Sequence, residues 1–92
     1  MKNQTELAKI LTKIDDLSMM NRFLKEMCTE KELRDLSLRW ELLKELHDGK
    51  TQREIAKLHK ISLCKITRGS KLLRQKDSIV RLILNENKKL QK

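Results

Sequence analysis

Proline is missing from the 92 residues, so no proline enforces a helix break, and Phe23 and Trp40 are the only aromatics. A chain this short with so little aromatic bulk builds only a modest core, for which dimerisation is the natural remedy. Glycine occurs twice, at Gly49 and Gly69, which excludes a glycine-rich phosphate loop and makes each glycine a position that needs a reason. Cysteine also occurs twice, at Cys28 and Cys64, with neither a Cys-x-x-Cys spacing nor paired histidines nearby. That pattern predicts no metal site and no disulfide framework, and it places the chain in a reducing cytoplasm. No apolar run approaches the roughly 18 residues of a spanning helix, and Met1 to Glu6 is polar, so neither a membrane segment nor a signal peptide is expected. Nothing pairs a nucleophile with a base or clusters carboxylates and histidines at metal spacing, so an enzyme is not expected either.

What the sequence has in abundance is positive charge. Lys and Arg number 22 against 13 Asp and Glu, a net charge of +9 at pH 7, which predicts attraction to a polyanion. The charge is uneven: residues 1 to 48 carry 9 basic and 10 acidic side chains, residues 49 to 92 carry 13 and 3. The second half is therefore the part that meets the partner. Acidic protein or a membrane surface would also attract such a face, but neither explains the motif described below.

The periodicity is helical throughout and predicts an all-α chain of about six helices in one domain, residues 1 to 92. Leu7, Ile10, Leu11, Ile14 and Leu17 recur on one helix face, continued by Phe23, Leu24 and Met27. Thr29 and Glu32 form a capping box that should open a long helix with an inward stripe of Leu33, Leu36, Trp40, Leu43 and Leu46 or His47, ended by Gly49. Thr51 and Glu54 form a second capping box, starting a short helix to about Leu58 or His59. Ser62 is placed to cap the next helix, carrying Leu63, Ile66, Leu72 and Leu73. Asp77 is placed to cap the last, carrying Ile79, Val80, Ile83 and Leu84. Residues 1 to 48 read as dimerisation helices, 51 to 74 as a DNA-reading head and 77 to 92 as a C-terminal helix.

Between Thr51 and Leu73, two short helices separated by a few residues, with Ala56 at their close approach and Ile55, Ile61 and Ile66 between them, have the spacing of a helix-turn-helix. The second helix of such a unit enters the major groove. Leu63, Cys64, Lys65 and Thr67 are then the side chains at the bases, with Gln52, Arg53 and Lys71 beside them among the nine Lys and Arg of residues 50 to 76. Lys60 stands at the turn position that usually holds a left-handed glycine, at a cost of about 1 kcal/mol. Gly69 falls inside the reading helix, where glycine costs about 0.8–1.0 kcal/mol against alanine. Either another helix packs closely there, or a ligand lies over it beside Arg68. Arg39 by itself reads equally as a solvated helix arginine, and His47 and His59 as helix-end and turn residues.

Gln52-Arg53-Glu54-Ile55, Ile66-Thr67-Arg68-Gly69-Ser70 and the Thr29 to Gly49 segment with Arg39 at its centre resemble the Trp repressor family over about residues 23 to 75. The resemblance implies an intertwined homodimer whose two heads straddle successive major grooves of a palindromic operator, about 34–36 Å apart. It implies L-tryptophan as corepressor, its indole between Arg39 and Arg68, its carboxylate on Arg68, Gly69 allowing close approach, and Thr29 of the other subunit near its ammonium. Departures from the family are specific. Leu72 stands where the best-known members have a serine near the ligand's amino group. Lys65 and Cys64 replace small or hydroxylic residues, which points to a different operator. Trp40 replaces a smaller aliphatic and is expected to narrow or reshape the pocket. Without the ligand, the same scaffold would be a constitutive DNA-binding module.

Overall fold

A computed structural model describes residues 1–90, with side chains through residue 87. Among the described residues there are six helices and no strand: α1 (Lys2–Lys13), α2 (Leu17–Met27), α3 (Glu30–His47), α4 (Gln52–His59), α5 (Leu63–Arg74) and α6 (Ile79–Leu90). The fold is all-α. The chain divides into two compact units, the first Met1–Leu36 and the second from Ser37 onward. The division falls inside α3.

In the first unit the apolar face spanning Leu7 to Met27 is cut in two. Ile14 is extended, and the Asp16 carboxylate accepts a hydrogen bond from the Met19 amide at 3.1 Å, capping α2. α3 opens on the reciprocal capping box expected of Thr29 and Glu32: the Thr29 amide donates to Glu32 Oε1 at 2.8 Å and the Glu32 amide to Thr29 Oγ1 at 3.1 Å. These bonds from Thr29, the backbone one first, hold the Glu32 carboxyl below its ordinary value. No described residue of this unit is buried; Leu17, Met19 and Met27 are well over half exposed.

The core belongs to the second unit. Ile55 of α4 and Ile66 of α5 are fully enclosed and pack with Leu42 of α3, ringed by Leu38, Leu46, Ala56 and Ile61. Burying each isoleucine contributes about 1.5–3 kcal/mol. This corrects the expected inward stripe of α3 in part: Leu43 and Leu46 face inward as expected, but Leu36 and Trp40 do not. Leu42 and Leu43 are buried, whereas Leu36 and Trp40 are exposed. At 3.6 residues per turn Leu38, Leu42 and Leu46 share the face of α3 that packs with α4 and α5, with Leu43 beside it.

Two caps also differ from expectation. Ser62 occupies the N-cap of α5 without a side-chain capping bond. The side chain that caps α6 is not that of Asp77 but that of the buried Ser78, whose hydroxyl oxygen accepts from the Arg81 amide at 3.2 Å. The α5–α6 turn is fastened by Arg81, whose Nη1 donates to the Leu73 carbonyl at 3.1 Å and Nη2 to the Lys76 carbonyl at 2.6 Å. That guanidinium satisfies carbonyls a helix end would otherwise leave without partners. Leu84 of α6 is buried, while Ile79 and Ile83 remain exposed. His47 Nε2, at the end of α3, lies 2.7 Å from Asn85 Oδ1 of α6.

Candidate functional site

α4 is capped by the Thr51 hydroxyl, which accepts from the Glu54 amide at 3.1 Å. It ends at Lys60 in the left-handed region, φ 55° and ψ 47°, and the Ile61 amide reaches back to the Ala56 carbonyl at 3.2 Å. This is a Schellman closure, with Ile61 and Ala56 packed in the same cluster. A β-carbon in that conformation costs about 1 kcal/mol, met here by the closed hydrogen bonds. The turn aims α5 away from α4 after only three residues, as a helix-turn-helix requires.

The head is tied to α3 by a contact the sequence reading missed. Glu45 is buried, and His59 Nε2 lies 3.0 Å from both of its carboxylate oxygens, with Lys50 Nζ 3.8 Å from one of them. A buried carboxylate needs such partners to offset the loss of water. Glu45 lies on the same side of α3 as Leu38 and Leu42, and a charge there is the one signal in the sequence that could have revealed the pairing.

On the outward side of α5, Leu63, Cys64, Thr67, Arg68 and Lys71 line one open groove of about 540 Å³. Lys65 and Arg53 are exposed beside them. Thr67 and Gln52 are half-buried and engaged with each other: Thr67 Oγ1 lies 3.0 Å from Gln52 Oε1 and 2.9 Å from the Leu63 carbonyl. A hydroxyl has one proton, so it serves one of these acceptors at a time. Of the seven expected DNA contacts, five are thus free on the surface and two pair within the head. Lys50, Thr51, Gln52 and Arg74 line a separate hollow of about 390 Å³ at the start of α4.

Between α5 and the second half of α3 lies a cavity of about 270 Å³. Arg39, Arg68 and Gly69 all line it, over a floor of Leu42, Leu43, Leu46, Ile66 and Leu72, and Lys65 reaches it as well. Trp40 does not line it, contrary to expectation, and is exposed on α3. Gly69 allows close helix packing: an added β-carbon would stand 3.3 Å from Leu43 Cδ2 and 3.3 Å from Leu46 Cδ1. Thr29 belongs to the first unit, where its backbone and hydroxyl are engaged with Glu32. Among the described residues no cluster of His, Cys, Asp and Glu could hold a metal, and no helix is long and apolar enough to cross a membrane.

A left-handed turn between two short helices, a basic outer face and a tightly packed three-helix core define the helix-turn-helix class. The model of the Trp repressor protein family matches residues 2–88, nearly the whole chain, and the chain belongs to that family, one of DNA-binding transcriptional repressors. No curated protein and no solved structure matches it.

Proposed function

We propose that the protein is a dimeric, cytoplasmic repressor that binds a palindromic operator when L-tryptophan occupies the cavity lined by Arg39, Arg68 and Gly69. The observation that carries this reading is the convergence of Arg39 with Arg68 and Gly69, 29 and 30 positions further along the sequence, on one small cavity behind the reading helix. Arg68 offers a planar donor fork for a carboxylate, and guanidinium faces stack on an aromatic ring. A ligand wedged between α3 and α5 sets the angle of α5, so its binding energy becomes a shift in the population of DNA-competent heads. Leu63, Cys64, Lys65 and Thr67 read bases, while Gln52, Arg53 and Lys71 contribute at the groove edges and phosphates.

Association into a homodimer is supported by the apolar surface that the single chain leaves uncovered: Leu17, Met19, Met27, Leu36 and Trp40, with Ile79 and Ile83 of α6. Thr29, offered by the partner subunit, would complete the ligand site. Calorimetry with L-tryptophan, run beside Arg68→Ala, tests the reading. One ligand per chain, lost in the variant, supports it; no saturation at millimolar tryptophan removes it.

A second reading, a DNA-binding module indifferent to any ligand, is favoured by Gly69, whose contacts with Leu43 and Leu46 account for a glycine without a bound molecule. Salt-sensitive DNA binding that no amino acid alters would select it.

A further inference from the structure

The helix that reads the groove opens on an apolar pair. Leu63 and Cys64 are the first two residues of α5 and both are exposed, Leu63 by 48% and Cys64 as a free thiol. They line the same open groove as Arg68 and Lys71 on the outward side of the helix. Thr67, one turn further on, has its single proton engaged with Gln52 Oε1 or with the Leu63 carbonyl, so the first hydroxyl of the helix brings no free donor to this surface. Arg53 and Lys65 are exposed beside the pair and can meet phosphates or guanine. Leu63 and Cys64 themselves offer a base neither a strong donor nor a strong acceptor.

We infer that Leu63 and Cys64 read thymine through its C5-methyl group, so that each half-site of the operator carries a thymine opposite the first turn of α5. The inference rests on the proposed reading that α5 enters the major groove, and it specifies the chemistry of the bases met there. Thymine is the base that turns an apolar group into that groove. Guanine, adenine and cytosine present hydrogen-bonding atoms, and an apolar side chain laid on these strips their water without replacing it. Closing Leu63 and Cys64 over a methyl removes apolar surface of both partners from water, a gain of about fourfold in affinity for each methyl covered.

Binding of the full chain to a site selected from random duplexes, with and without millimolar L-tryptophan, supplies the parent complex, and the same site made with uracil in place of thymine removes the methyl groups. The uracil site is expected to bind about tenfold or more weakly, since both half-sites lose their contacts. Where cytosine replaces the critical thymine, 5-methylcytosine should bind more tightly than cytosine, because the two differ by that methyl alone. The double variant Leu63→Ser/Cys64→Ser changes two exposed side chains, so its melting temperature should stay close to the parent's while its preference for thymine over uracil falls towards unity. Equal binding of thymine and uracil sites, or no gain from the methyl of 5-methylcytosine, overturns the inference and leaves the repressor reading in place. A thymine preference that survives in the double variant overturns the assignment to Leu63 and Cys64. Failure to select any site, with or without L-tryptophan, overturns the inference and the operator-binding reading together.

Discussion

His59 Nε2 sits 3.0 Å from each carboxylate oxygen of Glu45, so the last residue of α4 is fastened to the buried face of α3. The pair is the polar counterpart of the Ile55, Ile66 and Leu42 cluster, and both fix how the reading head sits on the second half of α3.

Removing both members of this pair should therefore cost less than the two single removals added together. His59→Ala leaves the Glu45 carboxylate with only Lys50 at 3.8 Å, and is expected to destabilise by about 1–3 kcal/mol. Urea unfolding of His59→Ala, Glu45→Ala and the double variant checks it. The double variant should lose less than the sum of the singles.

Lys60 is strained by its own β-carbon. Lys60→Gly should raise stability by about 1 kcal/mol, a shift of about 4–8 °C in Tm for a domain of this size, with the left-handed turn unchanged. A melting temperature that falls would mean that the lysine stem contributes packing the geometry does not reveal.

At Gly69, two effects oppose each other. Alanine gains about 0.8–1.0 kcal/mol of helix propensity, while its methyl would stand 3.3 Å from Leu43 Cδ2 and Leu46 Cδ1 and crowd both. Gly69→Ala is expected to leave unfolding free energy within about 1 kcal/mol of the parent and to weaken ligand binding in calorimetry, since the displaced leucines form the cavity floor.

Glu32 gives a pH dependence of known sign. Its carboxyl is held below its ordinary value of 4.5 by the bonds from Thr29, so the stabilisation it brings is present above that pH and is lost as the pH falls through the lowered folded value. Glu32→Gln should flatten the acid limb of the stability curve, lowering neutral stability towards the value the parent reaches in acid. Denaturant midpoints measured from pH 7 down to acid decide it.

DNA binding should respond differently to two kinds of substitution. Arg53→Ala or Lys71→Ala is expected to weaken binding to all sequences and to reduce the magnitude of the salt slope by about 1, as loss of one phosphate contact does. Lys65→Ala should change which sequence is preferred. Titrations at several salt concentrations with matched and altered sites separate the two.

Much of this was legible in the sequence because it depends on neighbours along the chain. The Thr29–Glu32 and Thr51–Glu54 caps, the stop at Gly49 and the left-handed Lys60 are set by residues within a turn or two of one another. Local rules misplaced the α6 cap by one residue, because Asp77 and Ser78 are both good caps and the chain reverses under Arg81, which reaches back to Leu73 and Lys76 from the following helix.

The sequence by itself determined the helices, the basic second half and the helix-turn-helix, since helical periodicity, capping and charge are properties of consecutive residues. The tertiary structure decided how far the cover extends round α3, enclosing Leu42 and Leu43 and leaving Leu36 and Trp40 exposed, paired Glu45 with His59 and brought Lys65 into the cavity. A pattern of side chains around a helix states how many faces want cover. Only the packing of α4 and α5 states which face receives it.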